Sequence, residues 1–516
     1  MLRRLLLAGA ILVALAGVYF SGVNTADTAA SPPSIRGRNG TVLFLTTTAN
    51  GLSNVHLATS YALLTNHPSL EVHYASFARL APEVARISAS ARAKNPAAGS
   101  IQWHELRGLD YVDAAFRSWN SSDGLVSPPG QAGLDAMLNT LEYGVAPWHP
   151  EEHWELYQEV AKLIEEVDPA VIALDVCLRP AMDYRFNVDR RFVIISPNAL
   201  SDIFSFHQPY AAALWKYPSL GSDLPFPIPW SKITTAIWER LRFVLWVVTN
   251  PRLLEVRAYL RDKGVQNPLD FAAGPSEEQP WLLMSFPEAN APLTRIPPGA
   301  VICGPMVLDL APAEQQDPEL VAWLKRAPTV LVNLGSAVKY TEQRASAMAA
   351  SFAEVLEKTD VQILWKFRKS GEFDDGFLKP IDKYVESGRV RLENWLNVDP
   401  PSLLQTGDVV LSVHHGGANC FYETISAGIP HVILPLWLDL YNFATTAEYL
   451  GVGIWPGRDT APEWHADTLA KGFLAALVGD ESVSMRQKAK ALGAVAATYG
   501  GRDRAAAEVA RLAVQQ

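Results

Sequence analysis

Short apolar runs alternate with segments of helical periodicity along most of the chain. The run at residues 41–46 is continuous, which is typical of a parallel strand buried on both faces. Residues 151–167 carry apolar side chains three and four positions apart, which is typical of an amphipathic helix. Strands that alternate with helices predict an α/β fold with doubly wound parallel sheets.

The same pattern occurs in both halves of the chain. In the first half it predicts helices at 53–64 and 151–167 and strands at 41–46, 71–76, 101–106, 170–174, 192–195 and 281–285. In the second half it predicts a helix at 418–427, at least two closing helices after Asp467, and strands at 329–334, 361–367, 390–394, 409–413, 431–434 and 452–455. A proline-rich connection at 292–312 separates the halves. We therefore expect two Rossmann-like domains, 41–312 and 313–516, which face each other across a cleft at the carboxyl ends of their strands.

The N-terminal residues predict a membrane segment. Arg3 and Arg4 precede a 16-residue apolar run at 5–20, which residues 21–23 extend toward the ~20 residues that cross a bilayer. Residues 1–23 are expected to be a retained signal-anchor or a cleaved signal peptide, and residues 24–40 a linker. The body would then be lumenal in the endoplasmic reticulum, or secreted after cleavage. Asn39 and Asn120 begin glycosylation sequons, so a lumenal body would be a glycoprotein.

Aromatic and proline residues are concentrated between Phe204 and Trp246. The prolines before Ser231 oppose regular secondary structure. Two interpretations of this segment remain open. It is an irregular insertion into the core, or it forms the wall of an apolar substrate cleft or a membrane-facing patch.

Composition excludes several classes of protein. The chain has 516 residues, of which 49% are hydrophobic and 19% are charged, so it can bury large cores. Its 44 basic and 54 acidic residues give a net charge of −10, and a nucleic-acid partner is therefore not expected. Cys177, Cys303 and Cys420 lie more than a hundred residues apart, which excludes a disulfide framework and a zinc module.

The densest chemical signal is the sequence HHGGANCFYE at residues 414–423, which follows a predicted strand and opens a helix. Glycines at such a junction let the backbone approach an anion, and the helix N-terminus favours phosphate. His415 and Asn419 add side-chain donors at the same point. Glu423 lies one helical turn after Asn419, and its carboxylate can accept two hydroxyl protons of a ribose.

The segment from Trp395 to Gly453 resembles the nucleotide-sugar signature of the UDP-glycosyltransferases, a family with the two-domain GT-B fold. The matching residues are Trp395, His415-Gly416-Gly417, Asn419, Glu423, Gly428-Ile429-Pro430, Pro435, Asp439 and Gly451-Val452-Gly453. A weaker resemblance covers the chain from Thr41 onward and includes Leu334-Gly335-Ser336. Residues 435–442, with the sequence PLWLDLYN, look most like the fungal membrane-anchored branch.

This resemblance implies a UDP-sugar site that works without a metal or another cofactor. Trp395 would stack on the uracil, for which an aromatic face is suited. Glu423 would hold the ribose hydroxyls, and Asp439 would hold hydroxyls of the donated sugar. The residues implied to lie at the diphosphate are Ser336, His415, Gly417, Asn419 and Cys420.

Three positions depart from the family pattern. Leu440 stands where the family usually has a glutamine after the sugar-binding acid, which leaves the identity of the donor sugar open. Cys420 replaces the usual serine of the phosphate turn, and a thiol is a weak donor, so the backbone N–H must serve. Val398 stands where a glutamine is often found near the uracil.

Inverting transfer also needs a base for the acceptor hydroxyl. The family places a histidine directly after the glycine of the first strand–helix turn, but here Leu52 follows Gly51. His56 lies one helical turn further on, and Asp175 matches the orienting aspartate at the end of a later strand. The hypothesis is that His56 takes the proton and Asp175 fixes its tautomer. The alternative is that His56 is a structural histidine.

Other kinds of site lack support. The chain has no GxSxG elbow and no Walker A loop. His414 and His415 have no partners at metal-ligand spacing. A glycosidase needs two facing carboxylates, and the sequence offers no partner for Glu151 or Glu152.

The sequence thus predicts a membrane-anchored UDP-glycosyltransferase that moves a hexose, expected to be glucose, to a hydroxyl of a lipophilic acceptor with inversion. The expected partners are the UDP-sugar, this acceptor, and a membrane through residues 5–23. The alternative is a non-catalytic GT-B protein that binds a nucleotide-sugar or a lipid, which Leu52 favours.

Overall fold

A computed structural model describes residues 37–117 and 122–514 of the chain. The N-terminal half forms a seven-stranded parallel sheet in the order β3-β2-β1-β4-β5-β6-β7. Its strands are β1 (Arg38–Leu45), β2 (Glu71–Ser76), β3 (Gln102–Glu105), β4 (Pro169–Asp175), β5 (Phe192–Ser196), β6 (Trp281–Leu283) and β7 (Ala300–Ile302).

Ten helices connect these strands in the described part of the N-terminal half. They are α1 (Asn50–Asn66), α2 (Ala81–Lys94), α3 (Tyr111–Phe116), α4 (Leu134–Val145), α5 (Pro150–Val167), α6 (Arg179–Tyr184), α7 (Leu200–Phe204), α8 (Ala212–Trp215), α9 (Ile233–Thr249) and α10 (Pro251–Asp262).

The second half forms a six-stranded parallel sheet in the order β10-β9-β8-β11-β12-β13. Its strands are β8 (Thr329–Val332), β9 (Gln362–Lys366), β10 (Val390–Glu393), β11 (Val409–His414), β12 (His431–Ile433) and β13 (Gly453–Ile454). Its helices are α11 (Ala313–Gln316), α12 (Pro318–Leu324), α13 (Glu342–Lys358), α14 (Asp382–Glu386), α15 (Pro400–Leu404), α16 (Ala418–Ser426), α17 (Asp439–Leu450), α18 (Ala466–Leu477), α19 (Gly479–Ala497) and α20 (Gly501–Ala513).

Each sheet reverses its strand order at one point, between β1 and β4 in the first and between β8 and β11 in the second. The strands there are buried on both faces, as the continuous apolar runs predicted. Val42 and Phe44 of β1 are 0% exposed, and so is Val413 of β11. Ligands of such sheets bind at the carboxyl ends of the strands beside the reversal. The fold therefore presents the ends of β1, β4, β8 and β11 to one cleft.

All twelve predicted strands are present, with ends shifted by up to three residues. One strand was missed: β7 lies inside the proline-rich connection that was expected to be irregular. It is three residues long and carries no periodic signal. The first strand begins at Arg38, so the linker predicted at 24–40 ends earlier than expected. Asn39 of the first sequon therefore lies in β1.

The closing helices do not all stay with the second sheet. Helix α20 packs on α1, β1 and β4 of the first sheet. Val509 of α20 is 0% exposed and shares a core with Val42 and Val171. The boundary predicted at 312/313 lies between the last strand of the first sheet and the first strand of the second, whereas α20, at the far end of the second predicted domain, packs on the first sheet.

Direct hydrogen bonds tie the two halves together beside α17. The Ser127 N–H donates to the Leu436 carbonyl at 3.0 Å, and the Tyr441 hydroxyl donates to the Ser127 carbonyl at 2.6 Å. The Gly221 N–H donates to Oδ1 of Asn442 at 3.0 Å. Loops of the N-terminal half thus hold the start of α17 from two sides.

The predicted membrane segment, residues 1–23, and the Asn120 sequon lie outside the described residues. Within ranges 37–117 and 122–514, no helix has the length and apolar character that crossing a bilayer requires.

The packing of α20 predicts a stability difference between two neighbouring residues. Leu512 is 4% exposed and belongs to the shared core, so Leu512→Ala is expected to lower the free energy of unfolding by about 2–5 kcal/mol. Val514, two residues on, is 48% exposed, and Val514→Ala serves as the matched control with little effect. Urea denaturation measures both. Equal stability of the two variants would contradict the packing of α20 on the first sheet.

Candidate functional site

The turn between β11 and α16 holds His415 at the cleft. The imidazole occupies space that two glycines leave open. A Cβ on Gly335 would lie 2.5 Å from Cε1 of His415, and a Cβ on Gly417 would lie 2.6 Å from its Nε2. Gly335 also has a φ of +77°, which side chains rarely adopt. The ring is thus held between the turn after β8 and the first turn of α16, as a diphosphate contact requires.

His414 points the other way, into the core. It is 1% exposed, and its Nδ1 accepts a hydrogen bond from the Gly416 N–H at 3.1 Å. Its Nε2 lies 2.9 Å from Nδ1 of His431, which is 0% exposed. The sequence motif did not predict this pair, because His431 lies on another strand. The pair fixes the backbone of the glycine turn.

His415 is partly exposed, and no described residue accepts or donates a hydrogen bond at its Nδ1. Burial, together with the positive charge of Lys366, lowers the pKa of His415 to about 4. The imidazole is therefore neutral at neutral pH. A neutral imidazole can still donate one hydrogen bond to a phosphate oxygen.

Lys366 supplies the positive charge that the motif itself lacks, and sequence analysis missed it. Its Nζ donates to the Gly335 carbonyl at 3.0 Å and lies 4.0 Å from the ring centroid of Trp395. Burial lowers its pKa to about 8, so it is mostly protonated at neutral pH. It is the last residue of a buried strand, where a lysine is unusual, and that is the signal that predicts a functional role.

Trp395 and Ser336 are accessible at the same edge. Trp395 is 47% exposed although it is a large aromatic residue, so its ring is available for stacking on a base. Ser336 is exposed in the turn after β8, and its carbonyl accepts from the Arg368 guanidinium at 3.2 Å. Val398 is 1% exposed in the core, so it offers the uracil no polar contact.

The first turn of α16 carries the next two predicted residues. The Asn419 side-chain amide donates to the carbonyl of Asn50 at 3.0 Å, across the cleft, and its Oδ1 has no partner among the described residues. Burial raises the pKa of the Cys420 thiol, which therefore stays protonated. Asn419 thus contacts the N-terminal half directly in the unliganded protein.

Glu423 lines a small cavity below this turn, together with Asn333, Pro400, Cys420 and other residues. It is 7% exposed, and burial raises its pKa to about 7, with the charge of Asp399 adding to the effect. A buried carboxylate without a cation has unsatisfied acceptor capacity. Two hydroxyls of a ribose would satisfy it.

Asp439 begins α17 at the other end of the site, and burial raises its pKa to about 6. The preceding residue, Leu438, has a φ of +44°, a strained conformation for a residue with a side chain. Leu440 is 3% exposed, so its side chain packs in the core instead of facing the sugar position.

A second acid, Asp202, lies close to Asp439, and sequence analysis did not single it out. Its Oδ1 accepts from the Asn442 amide at 3.4 Å, and its Oδ2 is buried without a partner in the described chain. Burial and the charge of Asp439 raise its pKa to about 7, while Arg240 opposes the shift. Asp202 comes from the N-terminal half, so only the assembled cleft brings the two acids together.

The predicted pair of His56 and Asp175 is not formed as expected. His56 is 0% exposed, stands edge-on to Phe44 with 6.4 Å between ring centroids, and has no hydrogen-bond partner among described residues at either nitrogen. Burial lowers its pKa to about 4, although the charge of Asp175 opposes the shift. Residue 56 is on the sheet side of α1, which the one-turn spacing could not reveal.

Asp175 instead organises the loop after β1. Its Oδ2 accepts from the Thr47 N–H at 3.0 Å and from the Thr47 hydroxyl at 2.6 Å. Its Oδ1 accepts from the Cys177 N–H at 2.9 Å. The carboxylate is 1% exposed at the end of β4, where the sequence predicted it. Asp175 therefore orients a threonine in this state, and not a histidine.

No group of three or more histidine, cysteine, aspartate or glutamate residues suited to a metal occurs among the residues that the structure describes. The residues at or beside the carboxyl ends of the second sheet's strands include Ser336, Lys366, Trp395, His415, Asn419, Glu423 and Asp439.

Comparison with known proteins gives the same family. Residues 276–454 match the family described as UDP-glucoronosyl and UDP-glucosyl transferase. The glycosyltransferase sdnJ of Sordaria araneosa is 31% identical over 434 residues, which cover 81% of this chain and 84% of that protein.

Solved structures share the fold. A UDP-glucosyltransferase from Polygonum tinctorium, described as capable of glucosylating indoxyl, aligns with a TM-score of 0.59 at 19% identity over 95% of this chain and 100% of that chain. Phytolacca americana UGT2, in complex with UDP-2fluoro-glucose and pterostilbene, aligns with a TM-score of 0.59 at 16% identity over 92% of this chain and 99% of that chain.

Three findings indicate the same family. They are the nucleotide-sugar motif, the two facing parallel sheets, and the similarity to sdnJ over most of both chains. The chain belongs to the UDP-glycosyltransferase family with the GT-B fold, and it is an enzyme that transfers a sugar from a UDP-sugar to small-molecule acceptors.

Proposed function

We propose that the protein transfers glucose from UDP-glucose to a hydroxyl of a lipophilic acceptor, with inversion at the anomeric carbon. The observation that carries the proposal is the convergence of Trp395, His415, Glu423 and Asp439 on one edge of the second sheet. In the proposed complex Trp395 would stack on the uracil, Glu423 would hold the ribose, His415 would contact the diphosphate, and Asp439 would hold the hexose. UDP-glucosyltransferases among the aligned structures support glucose as the sugar.

The proposed acceptor class rests on the aromatic segment and on the named acceptors of the aligned structures, indoxyl and pterostilbene. The segment from Phe204 to Trp246 lies against the sugar end of the site. Phe243 and Trp246 pack against a buried cluster that includes Leu134, and Leu438, the residue before Asp439, packs against the same cluster. An apolar acceptor would find apolar walls there and a hydroxyl-holding acid beside them.

In the proposed reaction, the acceptor oxygen attacks the anomeric carbon while the bond from that carbon to the β-phosphate oxygen breaks. Negative charge then develops on the departing UDP. His415, the first-turn N–H groups of α16 and Lys366 lie where that charge forms, and donors placed in advance stabilise it at little reorganisation cost. The acceptor hydroxyl loses its proton to a base in the cleft.

Two groups of residues are proposed for this base. His56 oriented by Asp175 is the arrangement predicted from sequence, and it requires the buried ring of His56 to turn outward. Asp202 already lies close to Asp439, and its Oδ2 has no partner among the described residues, so only this buried oxygen would have to become accessible. A raised pKa near 7 also suits a group that must accept a proton at neutral pH. These contacts favour Asp202.

We also propose that residues 5–23 hold the enzyme in a membrane, with the body in the lumen of the endoplasmic reticulum. The length of the apolar run and the preceding Arg3 and Arg4 support this orientation. Cleavage of the segment would give a secreted enzyme.

The alternative predicted from sequence, a non-catalytic binding protein, would require this member of the family to have lost its activity. The observations that favour it are Leu52 in place of the expected histidine and the enclosure of His56 in the core. The deciding experiment is release of UDP from UDP-glucose with a panel of sterols, other lipids and phenols. Acceptor-dependent UDP release supports the enzyme. UDP binding without release for any acceptor supports the binding protein.

His415→Ala is expected to lower kcat by about 10²–10³-fold, because one preorganised donor to the developing charge is lost. The fold should be kept, since the ring occupies a cleft and not the core. Steady-state kinetics and thermal unfolding measure the two properties. His465→Ala, at an exposed position before α18, is the matched control. A folded His415→Ala enzyme with full kcat would contradict the assignment.

Glu423→Gln is expected to raise the stability of the folded protein and to weaken UDP binding. The pKa of Glu423 is raised in the folded protein, so its ionisation makes folding less favourable as pH rises from about 4.5 to 7. The neutral glutamine should therefore raise the free energy of unfolding by about 3 kcal/mol at pH 8 and hardly at all at pH 4.5. UDP affinity should fall at least about tenfold.

Urea denaturation at both pH values and calorimetric titration with UDP test this prediction. Glu372→Gln changes an exposed glutamate in the same way and serves as the control. An unchanged UDP affinity for Glu423→Gln would rule out the ribose role.

The two proposals for the base predict different variants to be inactive. Asp202→Asn is expected to lower kcat by about 10²–10⁴-fold with UDP affinity unchanged. His56→Ala should keep transfer within about tenfold, because the ring does not reach the cleft. The kcat/KM of the parent enzyme should fall as pH drops below about 7, since protonated Asp202 cannot accept a proton.

A different outcome would support the pair predicted from sequence, His56 and Asp175. A folded His56→Ala enzyme that binds UDP but shows no turnover, together with an active Asp202→Asn enzyme, would assign the base to His56. Loss of turnover in Asp175→Asn would then support its orienting role.

A further inference from the structure

Helix α9 buries charged residues and exposes apolar ones, which is the reverse of a helix on a water-exposed surface. Glu239 is 1% exposed, and Arg240 is 5% exposed. Trp238 is 51% exposed, Leu245 is 39% exposed, and Val248 is 44% exposed. The last three residues are spaced by seven and three positions, so they lie on one side of the helix and form an apolar stripe.

The buried charges fix the rotation of the helix. The Ser219 hydroxyl donates to Oε2 of Glu239 at 2.8 Å. The Arg240 guanidinium donates to the carbonyls of Ala213 at 3.2 Å and Pro218 at 3.1 Å. Rolling α9 to hide the apolar stripe would break these bonds and leave two buried charged groups without their partners, which is costly. The contacts beneath α9 therefore keep the apolar stripe exposed.

Other exposed aromatic residues lie in the segments that pack on α9. Trp230 is 88% exposed directly before the helix, and Tyr210 is 89% exposed beside α8. Eight of the fourteen exposed large apolar side chains in the described ranges fall between Tyr210 and Phe271. Such a concentration marks an interaction surface, whereas single exposed apolar residues do not.

We propose that the apolar stripe of α9 and the tryptophan before it dock on the surface of a lipid bilayer. Tryptophan and tyrosine are enriched at membrane interfaces, and an interfacial helix carries basic residues beside its apolar face. Outside the buried Glu239 and Arg240, residues 205–250 carry three basic side chains and one acidic side chain, although the whole chain has a net charge of −10. One of the three, Arg242, also pairs with Asp135 of α4. Exposed Lys232 lies at the start of the helix, and Arg242 covers the Trp238 ring at 5.8 Å.

The length of chain between the N-terminal apolar run and the described body is compatible with docking on a bilayer. Residues 21–36 join the apolar run at 5–20 to the described body and can span at most about 55 Å. A bilayer that holds the apolar run is thus within reach of the body. A pair of identical chains fits the surface less well, because a two-fold interface would bring the basic residues of both copies together.

The docking surface adjoins the sugar end of the cleft. The side of α9 away from the stripe carries Phe243 and Trp246, which pack against the cluster of Leu134, Met137 and Leu138. Leu438, next to Asp439, packs against the same cluster. An acceptor dissolved in the bilayer would then need to pass only one helix thickness to reach the site. This consequence rests on the proposed lipophilic acceptor, whereas the docking itself does not.

The test measures vesicle binding of the full chain, in a background where Ile11→Asp, Leu12→Asp and Leu15→Asp interrupt the N-terminal apolar run. Sedimentation with phosphatidylcholine vesicles, with and without phosphatidylserine, gives the bound fraction. In this background the further change of Trp238, Leu245 and Val248 to serine is expected to weaken binding at least about fivefold. Val478→Ser with Val483→Ser changes exposed apolar residues elsewhere and should leave binding unchanged.

The outcomes are distinguishable from failure of the proposed function. Circular dichroism and UDP affinity establish that each variant is folded, and neither depends on turnover. Equal vesicle binding by the stripe variant and its parent would overturn the docking proposal. A parent that is a dimer by light scattering and a stripe variant that is a monomer would also overturn it, because the stripe would then be an interface between copies.

Discussion

Parallel strands buried on both faces leave polar side chains almost no position except the strand ends. In this protein the strands beside each order reversal carry apolar residues with 0% exposure, so water, ions and substrates are excluded from the sheets themselves. The groups that hold a nucleotide-sugar must therefore lie at the carboxyl ends. Asp175 ends β4, Lys366 ends β9, and His415 follows β11. The site is a direct consequence of the way the two sheets are buried.

This arrangement sets the electrostatics of the site. His415, Glu423 and Asp439 are partly withdrawn from water, so burial shifts the pKa of each toward its neutral form. Lys366 is the exception, because it stays mostly charged at neutral pH and sits between the turn after β8 and Trp395. At neutral pH the strand ends of the second sheet therefore carry a charged lysine beside a neutral imidazole, while Glu423 and Asp439 titrate close to that pH.

The residues that sequence analysis found are those whose function depends on local order. The β11–α16 junction was predicted because a strand end, two glycines and a helix start adjoin in sequence. Asp175 and Asp439 were predicted because they match positions of the family pattern. Lys366, Asp202 and the His414–His431 pair were missed, because each acquires its role from a contact with a distant strand or with the other half of the chain. The hypothesis about His56 rested on spacing alone. The spacing of His56 from Gly51 was right for one helical turn, but the packing of α1 turns that position toward Phe44.

Helix α20 has a consequence for how the chain is made. The first sheet has its last strand at Ala300–Ile302, yet the helix that covers β1 and β4 is completed about two hundred residues later. At about 5–20 residues per second, a ribosome needs roughly 10–40 s to synthesise that interval. During this time the groove on α1, β1 and β4 exposes apolar residues. The N-terminal half therefore cannot finish folding co-translationally as an independent unit, and a nascent chain is the form in which this protein most needs a chaperone.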